Sequence, residues 1–261
     1  MSPRASRIAG GALLSEVADG VHRLEHACVN LYVVADDDGR LLIVDTGLPA
    51  AWEPLGHALR ALGHRPSDVA AVVLTHAHFD HIGTASRIRS RLAVPVWLHP
   101  ADAAVAAHPY CYSHESARAM YPLRYPASLR ILAAMVSAGA LRVRGVPDTQ
   151  PLGPETELPV PGRPRVILTP GHTYGHCALH LPDRGVVLSG DALVTLDPYT
   201  GSRGAQIIAG AATADSAQAL ASLDRLAACD TGTTVLLPGH GDPWSGSLTA
   251  AVEQARARGA H

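Results

Sequence analysis

Short apolar runs alternate with breaks rich in Gly, Pro and Asp along most of this chain, and the spacing of the runs predicts its elements. Val29–Ala35 and residues 41–45 are apolar and β-branched, and they flank Asp36-Asp37-Asp38-Gly39, the pattern of a hairpin. Leu55, Leu59 and Leu62 share one face of a helix predicted over 50–62. Residues 69–75 then read as a strand. Thr84 is placed as the N-cap of a short Arg-rich helix ending near Leu92, and 94–98 read as a further strand. Residues 101–139 change to a mainly helical pattern holding Tyr110, Tyr112, Tyr121 and Tyr125. A Pro-rich passage over 146–164 leads to a strand at 165–169 and a hairpin, 177–181 with 185–189, around Pro182-Asp183-Arg184. A helix over 213–228, a strand over 233–237 and an amphipathic helix over 247–258 follow. No internal repeat supports a solenoid.

The same sequence of features recurs: an apolar strand, a tight turn, then His or Asp. It places polar residues on one edge of the sheets, where loops on a rigid scaffold carry function. The densest case is HAHFDH at 76–81, directly after the apolar run 69–74. VDTG at 44–47, PGHT at 170–173, SGDA at 189–192 and PGHG at 238–241 stand at the ends of other runs. Neutral imidazole and carboxylate together suit zinc or iron. A metal in an open pocket implies chemistry on a water molecule.

Composition narrows the classes. With 261 residues, 47% of them hydrophobic, the chain can bury a substantial core. Its 21 basic and 23 acidic residues imply no general attraction to nucleic acid or to an anionic membrane. All the basic residues are Arg, which excludes a lysine nucleophile or Schiff base. Cys28, Cys111, Cys177 and Cys229 have no paired spacing, so they are expected to be reduced core residues in a cytoplasmic protein. Near the start, Arg4 and Arg7 precede an apolar run too short for a targeting segment, and no stretch reaches the ~20 apolar residues of a membrane span.

Taken in order across about residues 20–245, these motifs resemble those of the metallo-β-lactamase-fold superfamily, with a ligand set similar to that of glyoxalase II. The resemblance implies an α/β protein, a four-layer αβ/βα sandwich formed as one domain over 1–261 with a helical insert at about 101–139. It implies that His76, His78 and His172 hold one metal, that Asp80, His81 and His240 hold a second, and that Asp191 bridges the two. The chemistry of the residues agrees, since two three-ligand sites joined by a carboxylate leave the open positions of a catalytic centre. Two metals ~3.5–4 Å apart can share a hydroxide whose parent water has its pKa lowered to ~7. Asp80 is then also the catalytic group that orients this hydroxide and receives its proton. Asp45 is either a partner to a ligand imidazole or a turn-former before Gly47. His176 is expected to pack beside the ligands rather than join them, and Thr75 and Thr173 either hydrogen-bond near ligands or simply end strands.

The departures from the family's patterns bear on the reaction. Asp191 stands where β-lactamases of the commonest type carry a cysteine, and residues 241–261 are too few for the glutathione-binding region of glyoxalase II. Val194 occupies the position of the lactonase tyrosine, with Tyr199 further on. No basic patch or added arm suggests an RNA substrate. The segment Val194-Thr195-Leu196-Asp197-Pro198-Tyr199 also fits persulfide dioxygenases poorly. The expected function is therefore a metal-dependent hydrolase that uses a metal-bridging hydroxide to cleave a small, mainly uncharged ester, thioester or lactone. Its cofactors are two divalent metal ions, zinc first, with iron or manganese also suited. The alternatives are a mononuclear-iron oxidoreductase resembling persulfide dioxygenases and a metal-binding protein without turnover. The expected partner is a small molecule, with no nucleic acid and no membrane. The insert is either a lid whose tyrosines roof the pocket or a brace or homodimer contact built on Leu129, Ile131, Leu132, Met135 and Val136.

Overall fold

Successive residues of a strand face opposite sides of its sheet, so a strand that is apolar throughout must be covered on both faces. Such strands form the centre of this protein. The computed structural model describes residues 5–153, 157–244 and 246–260. One sheet runs in chain order through β1 (Ser6–Arg7), β2 (Leu13–Ala18), β3 (Val21–His26), β4 (Val29–Ala35), β5 (Leu41–Val44), β6 (Val69–Val73), β7 (Val96–Leu98) and β8 (Gln150–Pro151). It is antiparallel as far as β5 and parallel from there on. β9 (Arg165–Leu168), β10 (Cys177–Leu181) and β11 (Val186–Gly190) form the second sheet with β14 (Val235–Pro238), in the order β14-β11-β10-β9. β12 (Val194–Leu196) and β13 (Arg203–Gln206) make a separate two-stranded ribbon.

Alternation divides the apolar residues into layers. Tyr32, Val34, Leu42, Val44 and Val73 point between the sheets, where they meet Cys177, Leu179, Leu181, Val186, Leu188 and Leu237. Leu31, Val33, Leu41, Ile43 and Val72 point outward to α1 (Trp52–Ala61) and α2 (Ala85–Leu92). On the far side, Ala178, Val187 and Leu236 pack against α6 (Ser216–Ala227) and α7 (Leu248–Arg258). This is the expected αβ/βα sandwich. The segment 101–139 is less regular than expected, with only α3 (Ala103–Ala107), α4 (Tyr121–Arg124) and α5 (Ser128–Ser137) as α-helices.

Several boundaries move for local reasons. The helix expected from 50 opens as a 3-10 turn at Pro49–Ala51, and that expected from 213 starts at Ser216 because Asp215 accepts from the Gln218 N–H at 2.8 Å. Thr84 stands at the N-cap of α2, but its hydroxyl donates to the Thr46 carbonyl at 2.9 Å and does not cap the helix. Of the cysteines only Cys177 is fully buried, while Cys28 and Cys229 are half-buried and Cys111 is exposed. Among the described residues no helix is long and apolar enough to cross a membrane.

The topology gathers the motifs. β5 and β6 are parallel neighbours, as are β11 and β14, so their C-terminal ends lie on one edge of each sheet. Packing the sheets face to face brings the two edges together. The Cys177 N–H crosses between the sheets there to the Thr75 carbonyl at 2.8 Å.

Candidate metal centre

All seven residues expected as ligands meet at that edge, none more than 6% exposed. The Asp191 Oδ2 atom is the hub. It lies 3.4 Å from Nε2 of His172 and of His240, 3.5 Å from Nε2 of His81 and 3.9 Å from Nε2 of His76. Asp80 Oδ2 lies 3.3 Å from His240 Nε2 and 3.9 Å from His81 Nε2. The His78 ring completes the cluster, 4.8 Å from the His76 ring and 4.5 Å from that of His172. Three subsets bring their donor atoms within 4.8 Å of one another: His76, His78 and His172; His76, His81 and Asp191; and Asp80, His81 and His240.

Hydrogen bonds behind the rings aim these donors. The Thr75 hydroxyl donates to Asp45 Oδ2 at 2.8 Å, so toward His76 Nδ1, 3.0 Å away, it can only accept. Thr213 donates to the Ile208 carbonyl at 2.7 Å and in the same way accepts from His172 Nδ1 at 3.3 Å. His81 Nδ1 faces Asp45 Oδ2 at 3.0 Å, and His240 Nδ1 donates to the Cys28 carbonyl at 2.7 Å. Four imidazoles therefore hold a proton on Nδ1 and turn Nε2 to the centre, the arrangement in which an outer partner orients a metal ligand. Nε2 of His76, His78 and His172 and Oδ1 of Asp191 are buried with no hydrogen-bond partner. Orphaned polar atoms cost about 1–3 kcal/mol each. Nitrogen and carboxylate oxygen converging without partners fit divalent transition metals.

Charge divides the cluster. Burial, reinforced by neighbouring imidazoles, pushes His76 and His78 well below the ordinary imidazole range, and burial brings His172 down to about 4. Burial also opposes charge on His81 and His240, but the Asp191 and Asp80 carboxylates outweigh it, raising His81 well above its usual value and His240 to about 10. Burial likewise opposes ionisation of Asp80 and Asp191, yet His81 and His240 hold both carboxyls below their ordinary range.

Asp45 combines its two expected roles. It turns the chain at φ 57°, a left-handed conformation that Asp tolerates better than most residues. From there its carboxylate accepts from the Thr75 N–H at 2.8 Å as well as from Thr75 Oγ1, and it faces His81. His176 belongs to none of the three subsets. Its Nε2 accepts from the Asp191 N–H at 3.0 Å, which leaves Nδ1 to donate to Thr169 Oγ1 at 2.7 Å. Gly239 is required for space, since a Cβ there would sit 2.2 Å from Asp191 Oδ1.

One residue beside the site was not anticipated. Buried Asp102 accepts from Thr173 Oγ1 at 2.7 Å, from the Gly175 N–H at 2.8 Å and from the Ala77 N–H at 3.1 Å, so it ties the 76–81 loop to the 172–175 loop. No motif marks it.

Residues of the insert lie both beside the cluster and against the core. The Tyr112 ring lies 3.9 Å from that of His78, with the Arg118 guanidinium 4.1 Å over its other side. Tyr199 lines the same space as Tyr112. With Phe79, Pro198, Ile208 and Ala212 these rings leave a space above the cluster about the size of a water molecule. Tyr110 instead bonds to the Ala140 carbonyl, and Tyr121 and Tyr125 pack with Tyr199, Ala209 and Ala211. Met135 packs on Val29 and Leu48, with Ile131 and Leu132 beside it, whereas Leu129 and Val136 are exposed.

A family model for the metallo-beta-lactamase superfamily matches residues 29–240. The chain is 30% identical over 186 residues to a probable metallo-hydrolase, YflN, of Bacillus subtilis, covering 70% of this chain and 67% of that protein. Among solved structures it is similar to the metallo-beta-lactamase family protein TTHA1429 of Thermus thermophilus, at 30% identity and TM-score 0.68, covering 93% of this chain and 80% of that one. It is also similar to TTHA1623, solved in a di-iron-bound form, at 27% identity and TM-score 0.60, covering 87% of this chain and 93% of that one.

Proposed function

The chain belongs to the metallo-β-lactamase superfamily, and from that premise we propose that it is a dinuclear metal-dependent hydrolase of small, mainly uncharged esters, thioesters or lactones. The observation that carries the reading is the set of orphaned Nε2 atoms gathered around Asp191. His76, His78 and His172 would hold one metal ion, Asp80, His81 and His240 the other, with Asp191 between them. When bound, such ions supply a water acidic enough to attack near neutral pH and positive charge for the oxygen of the attacked carbonyl. The chain's own groups do the rest. Asp80, held ionised, orients the attacking water and takes its proton. Burial raises the phenols of Tyr112 and Tyr199 above their usual range, so both stay protonated and can donate to a substrate oxygen. Around them the pocket is walled by apolar residues, and outside the cluster it has no charged lining residue, which favours an uncharged substrate. Because the space over the cluster is so small, its lining has to move to admit substrate.

Zinc is the first candidate for both ions. Iron is the alternative, favoured by the di-iron form of a similar protein. Metal analysis of protein produced without added metal, paired with a panel of esters, thioesters, lactones and persulfides, tests the reading. Two zinc or iron ions per chain with carbonyl hydrolysis is the expected result. One iron with oxygen uptake on a persulfide overturns it in favour of an oxidoreductase, and tight metal with no turnover on any class leaves a binding protein.

Acid should empty the two sites in sequence. The raised His81 and His240 hold protons through neutral pH, so a metal there must displace them and its affinity falls as pH decreases. The lowered His76, His78 and His172 are already neutral at pH 7, and protons compete for them only well into the acid range, for His172 toward about 4. Dialysis at stepwise lower pH, followed by metal analysis, should show the content fall from two ions to one before the last is lost. Loss of both in one step would contradict the assignment.

A further inference from the structure

The sequence predicts no basic patch, yet four arginines from separate segments gather in three dimensions. α2 and the stretch after α5 wall a groove of about 510 Å3 on the outer side of the first sheet. Arg87 and Arg91 come from successive turns of α2. Arg142 and Arg144 come from the turn and loop after α5, where the Arg142 N–H donates to the Gly139 carbonyl at 2.9 Å, the Val143 N–H to Tyr110 Oη at 2.8 Å and the Val146 N–H to the Ala106 carbonyl at 2.8 Å. No carboxylate lines the groove. Among the described residues Arg91, Arg142 and Arg144 form no ion pair, whereas Arg89, on the adjoining side of α2, bonds to the Pro147 carbonyl at 2.6 Å and pairs with Asp148. The Arg87 guanidinium is held 4.3 Å over the Trp52 ring.

The groove breaks several local rules. Arg87 and Arg91 are like charges one helical turn apart, which repel. Arg87 also stands in the first turn of α2, at the positive end of the helix dipole, and no acidic residue accompanies it there. The Thr84 hydroxyl that would cap this end is committed to Thr46. In a chain of net charge −2, four cations and an uncapped helix N-terminus share one hollow. An anion relieves each of these conflicts, and sites where local rules fail are where function is expected.

We propose that this groove binds the phosphate chain of a small molecule carrying two or three linked phosphates. Guanidinium groups match phosphate oxygens in pairs, helix N-termini present free N–H groups to phosphate, and Ser86 and Ser90 add hydroxyl donors at the wall. Four positive charges match the charge of a di- or triphosphate. The volume is that of a small-ligand pocket, whereas a nucleic acid would need a cationic track running beyond it. The groove shares no lining residue with the space over the His/Asp cluster, so this site stands apart from the reaction centre.

Calorimetric titration of the metal-loaded protein with inorganic tripolyphosphate and with ADP tests the proposal. Saturable binding to one site is expected, weakening as salt rises, and weakened about tenfold or more in an Arg142→Gln/Arg144→Gln variant that melts like the wild type without ligand. Arg91→Gln, on the opposite wall, should weaken binding in the same direction, so the assignment does not depend on one variant. Tighter binding of ADP identifies a nucleotide as the ligand, and equal binding identifies the bare phosphate chain. No saturable binding at millimolar ligand overturns the proposal, as does binding unchanged in both variants, which would place the anion elsewhere, the His/Asp cluster included. Variant-sensitive binding of a single-stranded RNA oligomer tighter than that of either phosphate ligand also overturns it.

Discussion

Replacing Asp191 by Ala is expected to strip the cluster of metal and to lower kcat/KM by more than about a hundredfold, beyond the usual cost of losing an outer partner of a metal ligand, with the fold intact. One carboxylate oxygen of Asp191 lies within 3.9 Å of four imidazole Nε2 atoms, a position shared by no other side chain of the cluster. Its side chain belongs to none of the apolar clusters, and its backbone N–H keeps its bond to His176 in the variant. Far-UV circular dichroism should therefore be unchanged. The charge balance should shift, because Asp191 is the leading carboxylate that raises His81 and His240. In the metal-free variant the His240 imidazolium should lose its proton at lower pH than in the metal-free wild type, a shift that NMR of the ring protons can follow. His78→Ala should lose metal and activity in the same direction, but it also removes the ring on which Tyr112 rests, so Asp191→Ala is the cleaner test. Metal content and turnover both unchanged in Asp191→Ala would show that the ligand assignment is wrong.

How much of this was legible in the sequence follows from how locally each feature is encoded. The seven clustered residues stand in short motifs at the ends of apolar runs, and a strand that is apolar on both faces stands out without help from its neighbours. β4, β5, β6, β10 and β11 are of this kind. β3 is different: Val21–His26 mixes apolar and ionisable residues, and buried Arg23 is met not only by Glu25 on its own strand but by Asp242 and the Gly241 carbonyl, far away in the chain, each at 3.0 Å. β12 and β13 are three- and four-residue strands whose pairing no local pattern announces. The outer partners of the clustered imidazoles are equally hidden. Thr213 and the Cys28 carbonyl reach His172 and His240 from remote segments, and a backbone carbonyl leaves no mark on a sequence at all. The helical pattern of the insert does not separate its contacts, which put Tyr112 on the site and Met135 in the core around Val29 and Leu48. The arginine groove was invisible because its two walls lie some fifty residues apart.

Asp102→Ala should be the most destabilising single change near the site, although Asp102 touches no expected ligand side chain. Its carboxylate is buried, and burial pushes its pKa up despite the bonds from Thr173, Gly175 and Ala77 that favour the charged form. Truncation leaves three donors without a partner where water does not reach. At about 1–3 kcal/mol for each such donor, a loss of about 3 kcal/mol or more is expected, a large part of the ~5–15 kcal/mol that holds a typical domain together. The same bonds fix the spacing between the loop carrying His76 and His78 and the loop carrying His172, so metal affinity should fall by roughly 10- to 100-fold, as when an outer partner of a ligand is lost. Asp102→Asn separates the two effects. With its amide oxygen in the place of Oδ2 it can still accept from Ala77 and Thr173, but its NH2 then meets the Gly175 N–H, so it should lie between wild type and Ala in both stability and metal affinity. Chemical denaturation of the metal-free proteins reads the first quantity and competition with a chelator reads the second. If Asp102→Ala unfolds at the wild-type midpoint and keeps wild-type metal affinity, the two loops are positioned by the sheets alone, and the carboxylate between them holds nothing in place.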